Sequence, residues 1–391
     1  MMNKCDICNK KYSNIIKFGK QFLANHYSKN YPYTAKVAYC DNCIIFKCVH
    51  QISNKKVFQK NYPYLSSLSV EFQKYLKNIS LELKNKIIEG KILEIGSNDG
   101  SFLKYFKKNL YTPIGVEPAN SSHKIAKKTG IISINDYFDK KISNFLKEKY
   151  GSFDLIFSIN TFGHIDKINE NFELVNYLIN KKNKKSIFVF ENIDILSLVK
   201  KKNFSQLYDE HVYTLSANCI NKLCKKNKLI LFDIKKTNNQ DGSHRYYIGH
   251  GKIKQKNSVK KIINQEKIFF GKTRIKNLNK KIKDIKKKVK SFFTKNKNKI
   301  YGFGASAKAT FLVNFLSLSK NDIELIFDNS PYKLNKNLPG TNIEIKKEIL
   351  IHRIKNCILF IFIPNHINEI IKKYNYLLKK NNIKLKSIND F

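Results

Sequence analysis

The segment from Tyr208 to Tyr213 holds two tyrosines, an aspartate, a glutamate and a histidine within six residues. Histidine is the side chain best suited to moving a proton near neutral pH, and an adjacent carboxylate can orient it or raise its pKa. We therefore predict that His211 is a general base and that Glu210 orients it, with Tyr208 beside them. The alternative is a surface loop whose polarity has no function.

Two Cys-x-x-Cys pairs lie near the start of the chain, Cys5 with Cys8 and Cys40 with Cys43, separated by 31 residues. Each pair presents two thiolates from one turn, and two such turns complete a tetrahedral zinc site. Four sulfur ligands leave no position for a substrate or an activated water, so we predict a structural zinc that stabilises a region too short to be stable alone. Cys48 is the alternative thiol that could displace one of the four.

A polar turn between an apolar run and the start of an amphipathic helix has the form Glu94-x-Gly96-x-x-x-Gly100, with Asn98 inside it. At the carboxyl edge of a parallel strand, glycines let a ligand approach the backbone, and the next helix offers unpaired N–H groups. The turn lacks the G-x-G-x-x-G pattern that seats a dinucleotide pyrophosphate. A second apolar run ends in Glu117, whose carboxylate can accept both hydrogen bonds of a ribose diol.

These two motifs, with the apolar run at 153–159, resemble those of class I S-adenosylmethionine (SAM) methyltransferases. Asp136 follows the third predicted strand and is followed by Tyr137 and Phe138, so a carboxylate and an aromatic edge would bind an adenine there. Asn160 follows the fourth predicted strand at the same cleft. His164 lies in the loop just beyond Asn160. A lone histidine is usually structural, but functional residues concentrate in such loops.

Strand and helix alternate from residue 91 to about 250, with strands predicted near 91–96, 113–117, 131–134, 153–159, 185–191, 229–235 and 244–249. This alternation predicts an α/β fold, a doubly wound Rossmann-like sheet with the ligand at the strand ends. An amphipathic helix from about Val70 precedes the sheet, and Tyr64 lies just before that helix, where its hydroxyl would face the cleft.

A second strand, glycine turn and helix start occupies 299–309, with Ser306 and Lys308 in the turn. Backbone amides at a helix N-terminus suit a phosphate, and so does a lysine. The loops after its partner strand carry Asn329, Tyr332 and Lys333.

The length of 391 residues and the apolar fraction of 42% are sufficient for two or three domains with real cores. We predict a zinc-binding domain over 1–60, a SAM-dependent methyltransferase domain with its leading helix over 61–250, and a C-terminal Rossmann-like domain over 251–391. A basic, amphipathic helical segment from about 255 to 295 begins the third domain.

The formal charge of +44 would ordinarily indicate nucleic acid or an anionic membrane surface. Only three of the 74 basic residues are arginine, and the lysines are scattered among asparagine and isoleucine along the whole chain, as the codons of an AT-rich genome would produce. We therefore expect no nucleic-acid partner. Because lysine is used nearly everywhere else, Arg245 predicts bidentate recognition of the substrate.

The first residues have no apolar signal segment, and the longest apolar run, 357–363, is too short to cross a bilayer. Eight cysteines without such a signal argue against a disulfide scaffold. We expect a cytoplasmic protein without a membrane partner, and a monomer.

Taken in order, the motifs resemble those of the nucleotide-sugar C-methyltransferases of deoxysugar pathways over nearly the whole chain. They are the cysteine pairs, Glu94 to Gly100, Gly115-Val-Glu-Pro118, Asn160-x-x-x-His164, Tyr208-x-Glu-His211, Gly242-Ser-x-Arg245, Tyr301-Gly-x-Gly-Ala-x-Ala-Lys308, Asp328-Asn-x-Pro-Tyr-Lys333 and Leu338-Pro-Gly-Thr341. The resemblance implies a thymidine-diphosphate 4-keto-6-deoxyhexose methylated at C3. It also implies that the C-terminal domain over 251–391 binds this nucleotide sugar, with Asn329, Tyr332 and Lys333 among the substrate-binding residues.

The same resemblance makes Tyr208, Tyr64 and His164 candidates to hydrogen-bond the enolate or the sugar hydroxyls. Asp209 stands where the family usually has a second histidine, and Asp241 where it usually has a glycine, so both put the identity of the sugar in question.

Three other functions fit parts of the sequence. A nucleic-acid methyltransferase with a zinc ribbon would explain the charge and the cysteines, but not a second α/β unit with a phosphate turn. A SAM-dependent enzyme that methylates oxygen or nitrogen of another small molecule would share the glycine turn. A non-catalytic zinc-dependent scaffold would leave that turn and Glu117 unused.

Overall fold

The computed structural model describes residues 4–27, 30–49, 52, 54–58, 62–107 and 110–391, without the side chains at 54, 55, 241, 272–274, 276 and 365. The strands in these ranges are β1 (Asn14–Phe22), β2 (Pro32–Cys40), β3 (Ile45–Cys48), β4 (Gly90–Ile95), β5 (Tyr111–Val116), β6 (Ile132–Ile134), β7 (Leu155–Ile159), β8 (Ile187–Ile193), β9 (Tyr213–Thr214), β10 (Ile230–Thr237), β11 (Ser243–Gly249), β12 (Ile300–Phe303), β13 (Ile326–Asp328), β14 (Ile345–Lys347), β15 (Cys357–Ile361) and β16 (Ile383–Ser387). The α-helices are α1 (Asn54–Val57), α2 (Val70–Lys84), α3 (Asn120–Lys128), α4 (Lys140–Tyr150), α5 (Ile168–Leu178), α6 (Ile195–Lys200), α7 (Ala217–Lys226), α8 (Asn257–Phe269), α9 (Lys272–Lys295), α10 (Ala307–Leu316) and α11 (Ile367–Lys380).

The central sheet has seven strands in the order β10-β11-β8-β7-β4-β5-β6. The five strands from β8 to β6 are parallel, and β11 runs antiparallel to both of its neighbours. Each strand predicted between 91 and 249 has its counterpart within a few residues, and the predicted α/β fold class is confirmed. The carboxyl ends of the five parallel strands therefore share one edge, where such sheets bind ligands.

The N-terminal sheet has the order β1-β2-β3-β9, and its last strand comes from the middle of the chain. Phe46 pairs with Thr214 and Lys47 with Tyr213. The sheet that begins with the cysteine pairs is thus completed by the segment that directly follows His211. The predicted domain boundary at residue 60 lies outside the described residues.

The C-terminal sheet is wholly parallel, in the order β14-β13-β12-β15-β16. The single basic segment predicted at 255–295 forms two helices, α8 and α9. Helix α8 packs on α7 and β10 of the central unit, although it follows the predicted boundary at residue 250. That boundary stays a prediction.

One hydrophobic core joins the three sheets. It includes Phe18 and Tyr39 of the N-terminal sheet, Leu207 beside the histidine segment, Ile282 of α9 and Ile326 of β13. Burial of such side chains is the main stabilising contribution to a fold. The segment that carries His211 is therefore held between the N-terminal and C-terminal units. Among the described helices, none is both long and apolar enough to pass through a bilayer.

Candidate active site

The glycine turn follows β4 directly, and its backbone needs conformations that favour glycine. Gly96 has a φ of +74°, and a Cβ there would lie 2.3 Å from Oγ1 of Thr161. Oε2 of Glu117 accepts the N–H of Asn98 at 2.8 Å, and its Oε1 accepts the N–H of Ala119 at 2.7 Å. The acid at the end of β5 thus holds the turn in place while it faces the cavity.

A cavity of about 530 Å³ opens at this edge of the central sheet. Five of the predicted cofactor residues line it: Glu94, Gly96, Asn98, Glu117 and Asn160. The lining does not include Gly100, whose φ of +76° shapes the turn behind it. Asp136 also lies outside the lining and accepts the N–H of Tyr137, which itself lines the cavity with Phe138. Of this predicted group, the two aromatic residues therefore line the cavity and Asp136 does not.

Two carboxylates at the base of the cavity are suited to a ligand that donates hydrogen bonds. Glu94 is buried, and its Oε2 has no hydrogen-bond partner among the described residues. Burial, with the nearby charges of Asp99 and Glu117, raises the pKa of Glu94 well above its usual range. Burial also raises the pKa of Glu117 to about 7, although its two backbone hydrogen bonds oppose the shift.

Other residues of the lining were not predicted. Phe58, Tyr62 and Phe72 come from the segment before β4 and cover the cavity from the N-terminal side. Tyr64 lines the cavity as predicted, with 47% of its surface exposed. The Tyr62-Pro-Tyr64 pattern is the sequence signal that could have identified Tyr62 together with Tyr64.

Two histidines meet where the cavity adjoins the segment after β8. His164 lines the cavity, and its ring centroid lies 4.9 Å from that of His211, nearly perpendicular to it. The ring of Tyr208 lies 4.3 Å from His211. Burial lowers the pKa of His164 to about 4 and that of His211 well below its usual range. Both imidazoles are therefore neutral near pH 7.

The contacts of His211 fix its tautomer. Nδ1 lies 2.6 Å from the backbone carbonyl of Gln206, and because a carbonyl oxygen only accepts, Nδ1 carries the proton. Nε2 is then the basic nitrogen. The predicted orienting role of Glu210 is wrong, because its carboxylate accepts hydrogen bonds from Asn25 and, at 2.8 Å, from the hydroxyl of Tyr62. A backbone carbonyl five residues earlier orients the imidazole instead.

Both carboxylates of this segment contact the N-terminal unit. Burial raises the pKa of Glu210 to about 7, and the nearby Lys333 opposes the shift. Oδ2 of Asp209 accepts the N–H of Ala24 at 3.3 Å, and its Oδ1 accepts from the hydroxyl of Tyr33 at 3.3 Å. Asp209 therefore connects the histidine segment to the N-terminal sheet. The side chain of Asp241 lies outside the described part of the chain.

The C-terminal unit brings two lysines to the same region. The hydroxyl of Tyr27 donates to the carbonyl of Ala305 at 3.0 Å, next to the turn that carries Lys308. The charge of Lys308 is near enough to help lower the pKa of His211, and that of Lys333 to help lower the pKa of Glu210. Two cations thus lie near the histidine segment.

Two other predicted residues of the C-terminal unit, Ser306 and Asn329, have local partners. Ser306 caps α10 by accepting the N–H of Ala309 at 3.3 Å. The amide of Asn329 donates to Glu348, so it belongs to a different contact. Tyr332 has 38% of its surface exposed.

Arg245 was predicted to bind substrate, and the structure contradicts this. Its Nε donates to Glu191 at 3.0 Å, its Nη1 to Glu82 at 3.0 Å and its Nη2 to the hydroxyl of Tyr75 at 3.0 Å. All three nitrogens are used to join β11 to β8 and α2. The planar guanidinium of Arg245 does bind carboxylates, but these carboxylates belong to the protein itself and not to a substrate.

The four predicted metal ligands come together. The sulfur atoms of Cys5, Cys8, Cys40 and Cys43 lie within 4.8 Å of one another, and Cys8 and Cys40 are 3.6 Å apart. With Zn–S bonds of about 2.3 Å, two sulfurs of a tetrahedral zinc lie roughly 3.8 Å apart. The donor set and its spacing fit a four-coordinate metal ion.

Comparisons with known proteins agree with this geometry. Residues 67–229 match a family of methyltransferase domains, and residues 238–385 match the C-methyltransferase C-terminal domain. A curated relative, the C-methyltransferase NovU of Streptomyces niveus, is 21% identical over 253 residues, which are 62% of this chain and 59% of the relative. The chain therefore spans less than two thirds of that relative's length.

Two solved structures resemble part of the chain. Magnesium protoporphyrin IX methyltransferase of Synechocystis, with bound SAH, has a TM-score of 0.37 and 12% identity over 46% of this chain and 84% of that one. The PH0226 protein of Pyrococcus horikoshii has a TM-score of 0.39 and 14% identity over 51% of this chain and 100% of that one. The two family matches show a methyltransferase domain over residues 67–229, followed by a C-methyltransferase C-terminal domain over residues 238–385.

Proposed function

We propose that this methyltransferase transfers the methyl group of SAM to C3 of a nucleotide-linked 4-keto-6-deoxyhexose. The observation that carries the proposal is the neutral His211, whose Nδ1 proton is held by the Gln206 carbonyl and whose ring meets a histidine of the cavity lining. A base so arranged suits removal of a proton from carbon. The match to the C-terminal domain of C-methyltransferases supports carbon as the acceptor.

SAM supplies the electrophilic methyl group, and the cavity fits it. Glu117 would accept the ribose hydroxyls, and Glu94 offers an oxygen that lacks a partner within the described residues. Gly96 leaves room that a Cβ would fill. Asn98 and Asn160 complete the polar lining, and Tyr137 with Phe138 provides aromatic surface for the adenine.

The reaction begins at the carbon beside the ketone. Nε2 of His211 takes the C3 proton, and the electron pair of the broken C–H bond moves to form an enolate with its charge on the ketone oxygen. Tyr208, Tyr64 and His164 are the candidate donors to that oxygen or to the sugar hydroxyls. Hydrogen bonds that strengthen as this charge develops lower the barrier. The enolate carbon then attacks the methyl carbon, and the C–S bond breaks.

The substrate's diphosphate would bind the C-terminal unit. Lys308 and Lys333 provide positive charge near His211 and Glu210, and Ser306 caps the N-terminus of α10, a helix end that suits a phosphate. Asp209 contacts the N-terminal unit. We therefore expect Asp209 to influence the choice of sugar by changing the shape of the sugar pocket. The four cysteines would bind zinc, which stabilises the loop against α7, where Asn218 donates to the carbonyl of Cys43 at 3.1 Å.

Methyl transfer from labelled SAM to a panel of nucleotide 4-ketosugars tests the proposal. The matched control is the same nucleotide sugar reduced to the 4-hydroxyl, which cannot form an enolate and should remain unlabelled. The product should carry its new methyl group on carbon. Labelling of the 4-hydroxy sugar, or a methyl group on oxygen or nitrogen, would contradict the proposal. Labelling of random-sequence duplex in preference to every sugar would indicate a nucleic-acid methyltransferase instead.

A further inference from the structure

A second cluster of metal-ligating side chains lies outside the cavity and the cysteine site. Asp194 follows β8, His244 belongs to β11 and Glu266 belongs to α8. Their exposed fractions are 5%, 1% and 0%. One ligand atom from each lies within 4.8 Å of the others, and none of the three lines the cavity.

The two carboxylates of the cluster are held in place by backbone donors. Oδ1 of Asp194 accepts the N–H of Leu196 at 3.0 Å. The two oxygens of Glu266 accept from Ala217 at 2.8 Å and Asn218 at 2.9 Å, the first residues of α7. An ionised carboxylate oxygen can accept more than one interaction, so these contacts orient the groups without exhausting them.

The imidazole of His244 lies in this cluster beside Asp194. Its Nδ1 is buried, has no hydrogen bond within the described residues and lies 3.4 Å from Oδ1 of Asp194. The buried hydroxyl of Tyr246 also lacks a partner there, and its ring centroid lies 5.9 Å from that of His244. A buried polar group without a hydrogen bond costs about 1–3 kcal/mol, so these two neighbouring groups point to a bound ligand.

The spacing indicates which ligand. With metal–nitrogen and metal–oxygen bonds of about 2.0–2.2 Å, two ligands of a tetrahedral zinc lie roughly 3.3–3.6 Å apart. The separation of 3.4 Å between His244 and Asp194 falls in that range. The same reasoning accounts for the longer separation of 3.6 Å between Cys8 and Cys40, because Zn–S bonds are longer.

We propose that Asp194, His244 and Glu266 bind a second divalent metal ion, Zn²⁺ with nitrogen and oxygen ligands. The ion offsets the charge of two carboxylates that are buried together, which is costly without a counter-ion. Its position fixes α8 and the start of α6 to β11. Glu266 also holds the start of α7, whose Asn218 contacts the cysteine loop. The role is structural, since all three ligands are buried and none of them lines the cavity.

Zinc analysis of the full chain, expressed with added Zn²⁺, tests the proposal. The wild type should hold two zinc ions per chain, and the Cys40→Ser, Cys43→Ser variant should keep one. His244→Asn should lose the zinc that survives in the cysteine variant. The matched control is His250→Asn, just beyond the end of β11, where the histidine contacts the carbonyl of Asn183 at 3.2 Å and should not affect zinc content.

Cobalt gives a second readout that does not depend on the His244 variant folding. In the Cys40→Ser, Cys43→Ser protein, bound Co²⁺ should show ligand-field bands without thiolate charge-transfer absorption. A cysteine variant that holds neither Zn²⁺ nor Co²⁺ would overturn the proposal. Asp194, His244 and Glu266 would then be held together by protons that they share, without a metal ion. Retention of both zinc ions by folded His244→Asn would overturn it as well.

Discussion

Replacing Arg245 tests whether this residue serves the fold or the substrate. Its side chain is 6% exposed, and Glu191, which it contacts, is 0% exposed. Arg245→Met keeps a similar length but leaves the buried Glu191 carboxylate without its cation. Removing one partner of a buried ion pair costs about 3–5 kcal/mol of unfolding free energy. At about 2–4 °C per kcal/mol for a unit of this size, the melting temperature should fall by roughly 6–20 °C.

The assay is thermal unfolding combined with steady-state kinetics below the melting temperature of the variant. Because the three nitrogens of Arg245 bond to groups within the fold, KM for the sugar should stay near the wild-type value. Arg245→Lys keeps the charge but cannot bond to Glu191, Glu82 and Tyr75 together, so its loss should be smaller than that of Arg245→Met. In the double variant Arg245→Met, Glu191→Gln, part of the stability should return, because no unpaired charge remains.

The reverse pattern would refute this reasoning. A substrate-binding arginine would show a raised KM in Arg245→Lys with an unchanged melting temperature. Strictly additive losses in the double variant would show that Arg245 and Glu191 are not energetically coupled.

Three further predictions concern other parts of the molecule. Gly96→Ala should weaken SAM binding in calorimetry, because the new Cβ would lie 2.3 Å from Thr161. Gly251→Ala is the control, since Gly251 has the same φ of +74° but no atom within 4 Å of the added Cβ, and it should not change the affinity. Equal SAM affinities of the two variants would contradict the steric argument. Burial and the adjacent carboxylate of Glu210 raise the pKa of Asp209 to about 8. The folded state therefore binds this proton more tightly than the unfolded state, and the free energy of unfolding falls as pH rises toward 8. Asp209→Asn should flatten the profile of melting temperature against pH between about 6 and 8, and an unchanged slope would count against the assignment. Cys40→Ser should lower both the bound zinc and the melting temperature, and a full zinc content in this variant would exclude Cys40 as a ligand.

Features set by short-range pattern could be predicted from the sequence. The turn from Glu94 to Gly100 depends on glycines beside a strand, and the cysteine cluster depends on two local pairs. Both patterns place their groups through a few consecutive residues. The strands of the central sheet were found for the same reason, because buried parallel strands are continuous apolar runs.

Contacts between distant segments could not be predicted. Arg245 bonds to Glu191 and Glu82, which lie 54 and 163 positions away. Glu210 bonds to Asn25, 185 positions away. No local pattern shows that a carboxylate beside a histidine will face another unit of the fold. The same limit applies to β9, which pairs with β3 of the N-terminal sheet although the two strands are far apart in the sequence.

Exchange of the substrate's C3 proton with deuterated water, in the absence of SAM, tests the central claim most directly. Enolisation needs only the base, so the wild type should incorporate deuterium at C3, and the acid limb of its pH profile should lie below the ordinary histidine pKa of 6.5, because burial lowers the pKa of His211. His211→Asn should bind SAM and sugar with nearly unchanged affinity, lose the exchange, and turn over roughly 10²–10⁴-fold more slowly. Normal deuterium incorporation in His211→Asn would contradict the account and move the base to His164 or Tyr64.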